Sequence, residues 1–249
     1  MGKNWVHVAL AASSRYVLDM RVGPRTKETA VDLVVPVGLC VRGSPAPPPL
    51  FLVDDHLPYP SALLEVYGRV KFGRRRRGRG RLKHPRLAPP TGLLAGVVRK
   101  VRDSKGNLLG VSTRGLFGSK RAVVERVQAL GIGQAIHTAH IERLNATLRM
   151  QQSRLHRRTG CLSRRRRFLD WSLQVWSNLY NWTRPHRSLC GDTPAMREGL
   201  ADHVWSVRES INVPVHVSDL QRECWAESRK TATTSALTQR NFHQPVPPP

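Results

Sequence analysis

Acidic side chains are scarce in this chain: 17 Asp and Glu face 41 Lys and Arg, a formal charge of +24 with an isoelectric point near 11.5. Such an imbalance draws polyphosphates, and their binding then falls steeply with salt. The long low-complexity basic tail of RNA-coating proteins is missing. Basic residues gather instead in two short blocks within a chain that is 40% hydrophobic. Cysteine is limited to Cys40, Cys161, Cys190 and Cys224, too scattered for a CxxC zinc site or a disulfide framework, so all four read as structural or incidental. No apolar run reaches transmembrane length, and residues 1–20 lack the basic start and long apolar stretch of a signal peptide. The expectation is a cytoplasmic protein with no membrane partner.

What is present is ample for a core, since 249 residues allow one large domain or two small ones. Trp5 to Ala12 and Tyr16 to Val22 are β-rich runs joined by a tight connection, which predicts two antiparallel strands. Thr26 can cap a helix running to about Leu33, before Pro36 and Gly38. The Pro-rich residues 42–49 form a stiff spacer leading into Leu50-Phe51-Leu52-Val53, a continuous apolar run expected to be a buried central strand. A short helix from Ser61 to Tyr67 stops at Gly68, and Arg69 to Phe72 can form a further strand.

The first basic block holds Arg74, Arg75, Arg76, Arg77, Arg79, Arg81 and Lys83. It cannot pack, because unpaired buried charges cost several kcal/mol each. Either it is a solvated loop or it lies on phosphate, where it would position a duplex without reading its sequence. Val97 to Val101 and Leu108 to Thr113 flank a turn-rich loop and predict a hairpin inserted in the domain. Ser119 caps a helix from Lys120 to Leu130 that ends at Gly131. The second block, Arg164, Arg165, Arg166 and Arg167, precedes an amphipathic helix. Phe168, Trp171, Val175 and Leu179 are expected to pack on the sheet, and the arginines to face phosphate. His186 reads as a histidine hydrogen-bonded in a turn. After Trp205 the pattern weakens, and the polar, Pro-rich Lys230 to Pro249 has the composition of a disordered tail.

Two stretches carry the chemistry. In Glu142-Arg143-Leu144-Asn145-Ala146-Thr147-Leu148-Arg149, a helix puts Ile141, Leu144 and Leu148 on one face and Glu142, Asn145 and Arg149 on its neighbour. That would suit a carboxylate holding a metal ion near a phosphate, although a Glu on a helix surface is ordinarily just solvated. The second stretch holds Tyr180-Asn181, Arg184-Pro185-His186 and Thr193-Pro194-Ala195. Together with the residues around Asp54, these runs resemble the catalytic domain of insertion-sequence transposases and related integrases, the DDE superfamily with a ribonuclease-H-like fold. The resemblance spans about Trp5 to Glu227.

The resemblance implies an α/β fold, a ribonuclease-H-like mixed sheet flanked by helices. Its core would span residues 1–205 with a basic insert at 73–92 and a hairpin insert at 97–113, followed by an extension at 206–229 and a tail at 230–249. It makes Glu142 the third metal-binding acid and Asp54, with Tyr59 five residues on as marker, the second; Asp55 is the fallback. Asn145 and Arg149 would support them. The implied activity is DNA strand cleavage and transfer with Mg²⁺ (or Mn²⁺), acting on double-stranded DNA as a homo-oligomer in the prokaryotic nucleoid. The family's first acid lies on a strand preceding the pair at Trp5 to Val22, and neither Asp19 nor Asp32 replaces it. The expectation is thus a transposase lacking its first strand, either a decayed copy or a chain whose true start lies upstream, inactive as given, with an unpaired apolar sheet edge and poor solubility. The alternatives are a non-catalytic DNA-binding competitor of an active transposase, or a general RNA-binding protein.

Overall fold

The computed structural model describes residues 4–41, 49–72, 84–156, 160, 161, 163 and 165–212. The chain divides into two units, Met1–Ser210 and Ile211–Pro249, and of the second only Ile211 and Asn212 are described. The first is mixed α/β, with a mixed sheet and helices. It runs to Ser210, five residues past the expected boundary at 205. A tilted pair of indoles lies at this end, with the Trp182 and Trp205 ring centroids 4.2 Å apart. Asn178 Nδ2 also donates to Ser210 Oγ at 3.0 Å. The expected tail at 230–249 lies outside the described residues.

Strands β1 (Trp5–Leu10) and β2 (Val17–Gly23) pair antiparallel, as two β-rich runs with a tight connection predict. The connection closes through Ala11 N donating to Tyr16 O at 2.8 Å, with Arg15 in the left-handed region at φ 64°. Helix α1 (Lys27–Val41) corrects the sequence reading, because it runs through Pro36 and Gly38 instead of stopping near Leu33. Pro36 removes one backbone donor, but Ala30, Leu33, Val34 and Val37 form a buried face at helical spacing across that point. Packing of that face outweighs the local penalty.

Strand β3 (Leu50–Asp54) is followed by α2 (Pro58–Tyr67), which ends at Gly68. Short strands β4 (Arg69–Lys71) and β5 (Arg86–Ala88) pair antiparallel. Then come β6 (Leu94–Arg102) and β7 (Leu108–Phe117), which are longer than the expected hairpin and are not an insert. Strand β6 pairs parallel with β3 and antiparallel with β7, so it is the middle strand of the order β3-β6-β7. Its first half is buried on both faces, at Ala95, Val97 and Val98, as a central strand requires.

Three longer helices follow, α3 (Lys120–Ala129), α4 (Ala139–Gln151) and α5 (Arg166–Trp182), and then the short α6 (Pro194–Arg197). Ser119 Oγ caps α3 by accepting from Ala122 N at 3.1 Å, as expected. Helix α7 (Val207–Asn212) follows. One core cluster joins Val17, Met20 and Val22 to Leu144, Leu148, Leu173, Trp176 and Tyr180. A second joins Ala30 and Val34 of α1 to Ala62 and Leu63 of α2 and to Leu93, Ala95 and Phe117.

The buried stripe of α5 differs from the expected one. Phe168, Trp171 and Val175 are exposed, while Leu173, Trp176 and Tyr180 turn inward. Apolar residues occupy two stripes of this helix, and each has acceptable helical spacing. The inner one packs beside Leu144 and Leu148 of α4, and Trp176 Nε1 donates to Gln151 Oε1 at 2.9 Å. An indole whose N–H finds a partner is the better one to bury.

Candidate functional site

Strands β1 and β3 belong to different sheets. Each has one paired neighbour, β2 and β6 respectively, and the two do not pair with each other. Between them lies a cavity of about 1000 Å³ lined by all of β1 and β3, by Leu33, Val34 and Val37 of α1, and by Ile141, Glu142 and Asn145 of α4. Asp54, Asp55 and Tyr59 also line it. The two acids picked from distant parts of the sequence, Asp54 and Glu142, thus both line this one cavity, as do Tyr59 and Asn145. Arg149 is exposed and does not line it.

Glu142 sits in the first turn of α4, where the helix dipole favours a negative charge. Its Oε1 accepts from Thr138 Oγ1 at 2.6 Å and its Oε2 lies 2.7 Å from Lys100 Nζ on β6. The Lys100 and Thr138 hydrogen bonds hold its carboxyl below the usual carboxylate range. Asp55 is engaged elsewhere, with Arg99 at 3.4 Å and Arg114 at 3.7 Å. Asp54 lies at the end of β3 among His7, His56 and Tyr59, where its charge acts on all three. Burial and the Asp54 carboxylate push the Tyr59 hydroxyl far above its ordinary value, so it stays a neutral donor.

Sequence reasoning missed the group on the facing wall: His7, His56 and Arg25. Both imidazoles are buried, with ring centroids 5.6 Å apart, and burial lowers the pKa of each. Arg25 Nε and Nη2 both donate to His56 Nδ1, at 3.3 and 3.2 Å, and the guanidinium stacks on Trp5 at 4.8 Å. A guanidinium only donates, so His56 Nδ1 accepts and the ring proton sits on Nε2. His7 is bonded to the backbone of Pro24, which has only a carbonyl to offer. The nitrogens left over, His7 Nε2 and His56 Nε2, are buried and have no hydrogen-bond partner. That leaves His7 Nε2 as an acceptor and His56 Nε2 as a donor. The signal was thin: a histidine two residues after Asp54, and another inside a strand.

Among the described residues no group of three or more His, Cys, Asp or Glu is arranged to hold a metal ion. Two carboxylates, one of them paired with Lys100, do not make a two-ion centre. Cys40, Cys161 and Cys190 are exposed, and Cys224 lies outside the described residues.

The second sequence run has a structural part to play. Asn181 Oδ1 accepts from Val17 N and its Nδ2 donates to Val17 O, both at 2.9 Å, which ties α5 to β2. Thr193 Oγ1 caps α6 by accepting from Met196 N, and Glu198 accepts a hydrogen bond from Ser14. The His186 ring packs edge-on to Tyr180 at 4.7 Å and bonds its backbone, as a turn histidine should.

Of the arginines assigned to phosphate, Arg74, Arg75, Arg76, Arg77, Arg79, Arg81, Lys83 and Arg164 lie outside the described residues. Arg165, Arg166 and Arg167 are exposed at the start of α5. Arg166 reaches Asp170 at 3.6 Å, and Arg167 lies over Phe168 at 5.1 Å and Trp171 at 5.9 Å.

The fold and cavity define an α/β protein with a carboxylate-bearing cleft at the end of a parallel strand pair, a common position for sites in such sheets. No family model, curated protein or solved structure matches the chain. No helix among the described residues is long and apolar enough to cross a membrane.

Proposed function

We propose that this chain is a DNA-binding protein built on a ribonuclease-H-like core of the transposase and integrase kind, and that it does not cut or join strands. The carrying observation is that Asp54 and Glu142, chosen by motif from separate segments, line one cavity. The order of elements supports the fold: an antiparallel pair, a helix, then β3 parallel to β6, with an open slot where the resemblance implies one more strand. The +24 charge and the exposed arginines at the start of α5 support a polyanionic partner, positioned through its phosphates. An active assembly on two DNA ends would need more than one copy.

Loss of catalysis is the part that chemistry favours. Strand cleavage of this type uses two ions clamped by several carboxylates, and Lys100 occupies one oxygen of Glu142. A single Mg²⁺ or Mn²⁺ could be held by Asp54 and Glu142 with water and phosphate oxygens, which is an ordinary environment for magnesium. No cleavage step is assigned to it.

The test uses the full chain and supercoiled plasmid with Mg²⁺. Gel retardation without nicking is expected. Mg²⁺-dependent nicking that disappears in Glu142→Gln would overturn the inactive assignment and make the chain an enzyme. Tighter binding to folded RNA than to duplex DNA at matched salt would instead favour an RNA-binding protein.

A further inference from the structure

We propose that the outer face of α5 takes an unpaired base of single-stranded DNA, seated against Trp171 and Phe168 while its flanking phosphates meet Arg165, Arg166 and Arg167. This deepens the DNA-binding reading and rests on it, and the closing experiment tells a failure of one from a failure of the other.

Helix α5 carries two apolar stripes and uses one of them in the core, where Leu173, Trp176 and Tyr180 are buried. On the other side Phe168, Trp171 and Val175 follow one another at helical spacing, and Trp171 is 54% and Phe168 40% exposed. Single exposed apolar residues are ordinary on a protein surface, but neighbouring aromatics on one stripe mark a contact face. Their arrangement narrows the partner. The two ring centroids lie 5.5 Å apart and the planes cross at 78°. A flat ligand stacked on one ring is thus edge-on to the other, which makes a corner for one base and not a ladder for several. Arg167 lies over both rings, 5.1 Å from the Phe168 centroid and 5.9 Å from that of Trp171, and sets a cation beside the same corner.

Charge selects among occupants. Arg165, Arg166 and Arg167 are exposed, against a single acid on the helix, Asp170, which pairs with Arg166 at 3.6 Å. A nucleotide brings a phosphate and a π face together, the two features that arginine and indole recognise. Bases inside a duplex are paired and stacked and have no open face, so the base must be unpaired. A second copy of the chain would set +24 against +24. Anchoring to an anionic membrane takes a broad apolar face, and the broad apolar face of α5 lies in the core.

The test measures the affinity of the full chain at fixed salt for three probes: an oligothymidylate of about twelve nucleotides, an abasic strand of the same length, and a long duplex. Trp171→Ala should weaken oligothymidylate binding about tenfold and leave the abasic strand and the duplex within about twofold. Trp171→Phe, which keeps a ring, should restore most of the loss. Because Trp171 is exposed, the alanine variant should unfold in urea close to the parent, so that its loss reports binding and not folding. Replacing Arg165 and Arg166 together by alanine should weaken all three probes alike. An equal loss on the abasic strand, or no loss on oligothymidylate, would overturn the proposal. Tighter Trp171-dependent binding to oligouridylate than to oligothymidylate would move the occupant to RNA and overturn the DNA assignment. Failure of the parent to bind any probe would sink the DNA-binding reading together with this one.

Discussion

Lys100 Nζ lies 2.7 Å from Glu142 Oε2, so the carboxylate with the strongest claim to a metal is held by a lysine from the neighbouring strand. Both side chains are more than a third exposed, and such pairs contribute only about 0 to 1 kcal/mol. Lys100→Ala should therefore leave stability nearly unchanged and release Glu142 for a cation. Titration with Mn²⁺, followed by calorimetry, should show several-fold tighter binding in Lys100→Ala than in the parent. Glu142→Gln should remove that gain.

Asn181 bonds both backbone groups of Val17 from inside the core. Asn181→Ala strips a partner from a buried N–H and a buried C=O, at a cost of about 2 to 4 kcal/mol. Urea unfolding would register it as a lower midpoint. A change under about 0.5 kcal/mol would mean that α5 is not anchored through this residue.

The inward face of α5 can be tested by paired truncation. Leu173→Ala should cost about 2 to 5 kcal/mol, because it opens a cavity beside Leu144 and Trp176. Val175→Ala, on the exposed face, should stay within about 0.5 kcal/mol. The reverse order would restore the face expected from the sequence.

Asp19 on β2 is mostly buried, and desolvation raises its pKa to about 6 even though Arg21 lies 2.7 Å away. The close pair argues for an ionised carboxylate and the burial against it. Burial prevails because Arg21 remains a quarter exposed and shares its charge with water. A folded pKa above the unfolded value of 3.8 means that the fold favours the protonated form. The stability it brings is full below about pH 4 and is lost as pH rises through about 6. Asp19→Asn stays neutral throughout. Relative to the parent it should gain stability between pH 4 and pH 7, by about 3 kcal/mol for a shift of this size. A constant difference across that range would show Asp19 to be ionised in the fold.

Much of the framework could be read from residue patterns. The strands at Trp5, Val17 and Leu50 announce themselves by β-rich composition or by a solid apolar run, and α3 by Ser119 and Gly131. What local pattern cannot report is partnership. The hairpin after Leu94 reads the same whether it is an insert or, as here, the strand beside β3. Pro36 looks like a helix end until α1 is seen packed on β2 and α2. On the site side, Asp54, Tyr59, Glu142 and Asn145 were reachable by motif spacing. His7 and Arg25 were not, because their relation to His56 exists only once β1 lies against the end of β3.

DNA binding is tested most directly by the affinity of the full 249-residue chain for a random-sequence duplex as salt is varied. If about five basic residues neutralise phosphates, the plot of log affinity against log salt should fall with a slope near about −4.5 and be indifferent to sequence. Absence of binding at about 50 mM salt, where such electrostatic contacts are strong, would contradict the account.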